Sequence, residues 1–155
     1  MKKTFLTLLI LTAVIDGCKK YEDGPLISLR SAYARIQNTF TLTQYTVNGV
    51  DSLSLYNDSL YNVFIFEWNE MDDVYDCRLY GPRKDGKLSV VYWYWELSDK
   101  NKILDVTFSG GDCSAGTGPF GSLKKPKWQI LRLTNKELKM KTDFNGKVYF
   151  VDLKR

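Results

Sequence analysis

From residue 38 onward apolar and polar residues alternate in short runs, the period of two that sends successive side chains to opposite faces of a β-strand. The runs are rich in Val, Ile, Thr, Tyr, Phe and Trp, which suit a pleated, half-buried surface. They predict eight strands, over about 39–47, 60–68, 73–80, 87–97, 102–108, 127–133, 137–142 and 147–153. The breaks include Asn48-Gly49, Asn69 to Asp72, Gly81-Pro82 through Gly86, Asp99-Lys100-Asn101, Thr134-Asn135-Lys136 and Asn145-Gly146. Asn and Gly tolerate positive φ, so these clusters predict tight turns. Connections this short make neighbouring strands antiparallel, because a parallel pair needs a crossover of about a dozen residues. Two connections are longer: 51–59, with room for a helical turn, and the glycine-rich 109–126. Eight strands in succession stack as two sheets or close on themselves, and closure removes the exposed edges that invite aggregation. The expected fold is therefore all-β, an antiparallel up-and-down eight-stranded barrel.

The same alternation predicts the inner face. Val91, Trp93, Trp95 and Leu97 share one side of the fourth strand, with Tyr92, Tyr94 and Glu96 on the other. Tyrosine hydroxyls and a carboxylate favour water, so the tryptophan side is expected inside. Phe64, Phe66 and Trp68 align in the second strand, Tyr75, Cys77 and Leu79 in the third, and Leu138 and Met140 in the seventh. The interior so predicted is aromatic and bulky. It either fills a small barrel completely or lines a cavity for one apolar ligand.

The N-terminus follows a different pattern. Lys2 and Lys3 precede an apolar run from Phe5 to Ile15, shorter than the roughly 20 residues of a membrane span and suited to a secretory signal. Gly17-Cys18 after that run resembles the lipobox at which bacterial lipoproteins are cleaved and acylated, although Asp16 stands where a small uncharged residue is usual. The resemblance implies a signal peptide over 1–17, lipidation at Cys18, and attachment to a membrane through that lipid. Residues 18–29, charged and without apolar periodicity, are expected to form a tether. A short helix is expected within 28–36, with Leu29, Tyr33 and Ile36 on one face. The barrel domain is expected over 30–155.

Charge and composition narrow the function. The formal net charge is +4, and basic residues are interspersed with acidic ones, which argues against a nucleic-acid partner. Histidine is absent, removing the commonest general base and the commonest metal ligand. No catalytic site and no cofactor are expected. With Cys18 acylated, Cys77 and Cys113 remain; one disulfide between them is one reading, and a buried apolar Cys77 with a free Cys113 is the other.

Several blocks carry a family likeness. Cys18-Lys-Lys-Tyr-Glu-Asp-Gly-Pro25, Ser28-Leu-Arg-Ser31, Val47-Asn-Gly-Val-Asp51 and above all Trp128-Gln-Ile-Leu-Arg-Leu-Thr-Asn-Lys-Glu-Leu138 resemble the lipocalin-like lipoproteins of Bacteroidetes-type bacteria. That resemblance implies a lipocalin-like (calycin-like) barrel of about eight strands held in the cell envelope, at the outer membrane. Where lipocalins carry Gly-x-Trp this chain reads Asn38-Thr39-Phe40, and Phe40 is expected to plug the barrel floor.

Three sets of residues suggest chemistry. Glu67, Glu70, Asp72, Asp73 and Asp76 are either calcium ligands or a solvated hairpin tip, and they lack the ordered alternation of a calcium loop. The glycines of 109–126 do not form a phosphate loop, because Lys124-Lys125-Pro126 leads into a strand. That loop instead suits recognition, with Phe120 exposed within it as a contact residue. Phe66, Trp68, Trp93, Trp95 and Trp128 either pack the core or meet a ligand. The expected function is non-catalytic binding of a small apolar ligand or an envelope partner through the barrel mouth. A packed accessory module is the alternative.

Overall fold

The computed structural model describes residues 21–23, 30–54, 63–69, 74–82, 88–111, 120 and 125–155. Helix α1 (Ala32–Ile36) precedes nine strands: β1 (Thr39–Val47), β2 (Val50–Asp51), β3 (Val63–Asn69), β4 (Val74–Pro82), β5 (Leu88–Ser98), β6 (Ile103–Gly111), β7 (Lys127–Leu133), β8 (Glu137–Phe144) and β9 (Lys147–Lys154). All pairings are antiparallel, and β1 pairs with both β3 and β9, so the eight long strands close into a barrel. The expected fold is thus observed. β1 and β7 coincide with the sequence-predicted spans, while β6 continues to Gly111. The two-residue β2, absent from the prediction, folds back on the end of β1.

The turns explain the succession. Asn48-Gly49 and Asn145-Gly146 hold φ of 51° and 78°, and of 51° and 73°, the pair of positive values that a two-residue hairpin needs. These two turns lie side by side: Asn48 exchanges bonds with Val148, donating from its main-chain N–H and accepting on Oδ1. Asp99, Lys100 and Asn101 all sit at positive φ between β5 and β6.

Alternation then builds the core. Phe40, Phe64, Phe66, Cys77, Val91, Trp93, Trp95, Leu104, Val106, Trp128, Leu138, Met140, Val151 and Leu153 all point inward and are buried. Each large apolar side chain so placed stabilises the fold by about 1.5–3 kcal/mol. Phe40, at the expected floor position, is fully buried and meets Phe66 edge-on at 6.0 Å. Trp68 departs from this set. It shares the inner face with Phe64 and Phe66 but lies one position from the end of β3, at the rim, and is 40% exposed.

Helix α1 closes the end of the barrel where β1 begins. Ser31 caps it by accepting from the Ala34 N–H, and Ala32 and Ile36 are buried beneath it. Arg35, also buried, donates from Nη1 to the Leu133 carbonyl at 2.7 Å.

Two strand junctions are short. β1 meets β3 over three residue pairs, and β6 meets β7 over three, from Ile103–Gln129 to Asp105–Lys127. Beyond Asp105, β6 has no ladder to β7.

The tether expected over 18–29 is docked in its middle. Tyr21 is buried with the Arg35 guanidinium 5.6 Å from its ring centre, and the Asp23 N–H donates to the Leu131 carbonyl at 2.7 Å. Arg132 Nη1 returns a bond to the Asp23 carbonyl. The cause is a bulge in β7: pairing with β8 skips Leu131, leaving a main-chain acceptor that Asp23 takes. Cys18 and the rest of 18–29, like residues 1–17, lie outside the described residues.

Candidate functional site

The long β6–β7 connection delivers one described side chain into the barrel. Phe120 is 1% exposed, which corrects the expectation of an exposed contact residue. Its ring lies edge-on to Phe64 at 5.3 Å, Trp128 at 5.5 Å, Trp93 at 6.0 Å and Phe66 at 6.4 Å. Edge-to-face contacts of this kind add about 0.5–1.5 kcal/mol each beyond burial. The ring therefore occupies the interior as a guest would.

Two donors lie beside it. The indole Nε1–H groups of Trp93 and Trp128 are buried with no hydrogen-bond partner among the described residues, and both rings touch Phe120. A buried unsatisfied donor costs about 1–3 kcal/mol, so the pair is a polar demand inside an apolar core.

Of the sequence-predicted residues, Phe66, Trp93, Phe120 and Trp128 are brought together around this point. Trp95 touches Phe66 at 5.9 Å but turns toward a second cluster, in which Tyr75 packs against it, tilted by 40°, at 4.6 Å and reaches Trp68 at 4.5 Å. Tyr33 of α1 covers Tyr75 at 4.7 Å. Sequence reading named Tyr75 only as an inward residue and missed its bridging position; its place opposite Trp68 in the β3–β4 ladder was the available signal.

Cys77 is a free thiol, fully buried. Burial, helped by the charge on Asp76, pushes its pKa well above the ordinary value. Cys113 lies outside the described residues.

No protein-family model and no curated protein matches this chain. Among solved structures, it is similar to a lipocalin-like protein from Bacteroides uniformis ATCC 8492, at 13% identity and a TM-score of 0.46, covering 78% of this chain and 98% of that one. It is also similar to an uncharacterized protein from Bacteroides eggerthii DSM 20697, at 19% identity and a TM-score of 0.41, covering 76% and 98%. The barrel assignment rests on the strand order and closure described above.

Glu67 and Asp76 both pair with Arg78, at 2.8 Å and 3.3 Å, while Glu70, Asp72 and Asp73 lie outside the described residues. Among the described residues no three metal-ligating side chains converge.

Proposed function

We propose that this is a non-catalytic, lipid-anchored protein of the bacterial cell envelope that binds a small apolar ligand in the chamber held by Phe120. The observation carrying this reading is one aromatic ring, supplied by a loop, placed among four other rings beside two indole donors that have no acceptor among the described residues. A ligand with an apolar body and one acceptor oxygen would replace the ring's contacts and satisfy a donor that Phe120 leaves unpaired. Attachment through Cys18 is supported by the cationic and apolar leader that precedes it.

Acetophenone, with a ring and one carbonyl, tests the chamber against isopropylbenzene, which lacks the acceptor. Phe120→Ala is expected to bind acetophenone at least about tenfold more tightly than the parent, and to prefer it over isopropylbenzene. Absence of binding to a folded Phe120→Ala protein would favour the packed accessory module, a reading that the close burial of Phe120 also supports. Mass spectrometry of the membrane fraction tests the anchor: an unmodified Cys18 removes it.

A further inference from the structure

A second site opens at the rim, at the α1 end of the barrel. The β4–β5 ladder starts at Asp76–Tyr94, so Val74 and Tyr75 run past Trp95 and Glu96 without pairing. The strands part there, and a cleft of about 320 Å³ lies between them, lined by Trp68, Val74, Tyr75, Tyr94, Trp95, Glu96, Asp105 and Thr107. Its exposed aromatic residues are Trp68, 40% exposed, and Tyr94, 43% exposed. Glu96 and Asp105 are its acidic residues.

Glu96 stands directly opposite Asp105 in the β5–β6 ladder, and Tyr94 stands opposite Thr107. Facing side chains in such a pair have Cβ atoms about 4.5–5.5 Å apart, where like charges repel. Asp105 is partly compensated: it accepts from Ser98 Oγ and lies 3.9 Å from Lys127 Nζ, an ammonium that is 76% exposed. Glu96 forms no ion pair among the described residues. Among the described residues, no cationic side chain lines the cleft.

We propose that this cleft binds an organic ammonium ion, with Trp68 and Tyr94 offering ring faces and Glu96 and Asp105 the countercharge. The chemistry selects this class over its rivals. An anion meets two carboxylates, and an uncharged apolar guest would cover Glu96 without supplying it a partner. A bare divalent cation seeks six or more converging oxygens, and among the described residues no three metal-ligating side chains converge. An alkylated ammonium is large, weakly hydrated and attracted to aromatic faces, and it relieves the Glu96–Asp105 repulsion. This site is independent of the Phe120 chamber.

Choline is the probe, titrated into the isotope-labelled purified protein and followed through the Trp68 indole N–H resonance. Saturable binding is expected, weakened by added salt because Glu96 is exposed. Glu96→Gln and Trp68→Ala should each reduce affinity by about three- to tenfold, the range of one exposed ion pair or one cation–π contact. The neutral isostere of choline, with carbon in place of nitrogen, should bind at least about threefold more weakly. The proposal is overturned if choline does not bind, if the isostere binds equally, or if a folded Glu96→Gln protein binds choline as the parent does. Saturation by methyl glucoside without a response to choline likewise overturns it, by showing the rings to be a sugar platform. Glu96 is exposed, so its variant separates loss of the site from loss of the fold.

Discussion

The indole Nε1–H of Trp95 donates to the main-chain carbonyl of Asp76 at 2.7 Å, at the point where β4 and β5 separate. The ladder ends at the pair Asp76–Tyr94, and the side chain of the next residue, Trp95, takes over as donor to the other strand. Trp95 thus closes the interior behind the rim cleft while its ring packs on Phe66 and Tyr75.

Replacing Trp95 by Phe keeps an aromatic ring and leaves the buried Asp76 carbonyl without this donor. A loss of about 1–3 kcal/mol in unfolding free energy is expected from that carbonyl. Trp93→Phe is the control, since Trp93 is equally buried but its Nε1–H has no partner among the described residues to lose. Urea unfolding of the two variants should therefore give the larger drop for Trp95→Phe. Equal losses would mean that ring volume, not the hydrogen bond, sets the cost.

Cys77 should be chemically silent in the native protein. Its thiol is fully buried, and burial with the adjacent Asp76 charge holds its pKa above the ordinary 9.0. Iodoacetamide is expected to label Cys77 only under denaturing conditions, read by peptide mass spectrometry. The same shift fixes a pH dependence. Below 9.0 the thiol is neutral in both states; as pH rises through 9.0 the unfolded chain ionises first, and native stability falls. Tyr21, whose pKa is raised by burial against the opposing effect of Arg35, adds a loss in the same direction above 10.0. Cys77→Ala should flatten the first part of that decline.

How much of this was legible follows from where each feature gets its cause. The inward set Val91, Trp93 and Trp95 and the outward Tyr92 and Tyr94 are fixed by alternation within one strand, and alternation is visible in the sequence. The bulges that skip Thr43 in β1 and Leu131 in β7 are not, because a bulge is a relation between two strands. The bulge in β1 changes which parity faces inward, from Phe40 and Leu42 to Tyr45. Asp23 docks through its main chain on the Leu131 carbonyl, so no side-chain pattern in 18–29 announced it. Phe120 stands among glycines, where a lone aromatic residue carries no period; its burial is decided by the four rings that receive it.

Asp152 provides a second titration, of opposite origin to an ordinary surface carboxylate. It lies on the outer face of β9, 4% exposed, with Oδ2 3.5 Å from Lys154 and 3.8 Å from Lys139 while Oδ1 has no hydrogen-bond partner. Desolvation outweighs the two ammonium groups, and the nearby Glu137 adds to it, so the pKa is raised above 3.8. Below 3.8 the carboxyl is protonated in both folded and unfolded chains and carries no penalty. As pH rises through 3.8 toward the folded value, the unfolded chain releases its proton more readily, and the native state loses stability that it does not regain at neutral pH. Asp152→Asn removes this titration. Relative to the parent, the variant is therefore expected to gain in urea midpoint between pH 3 and pH 7, about where carboxylates titrate. A gain by the parent over the same interval would show that Lys139 and Lys154 outweigh burial, reversing the sign assigned to this residue.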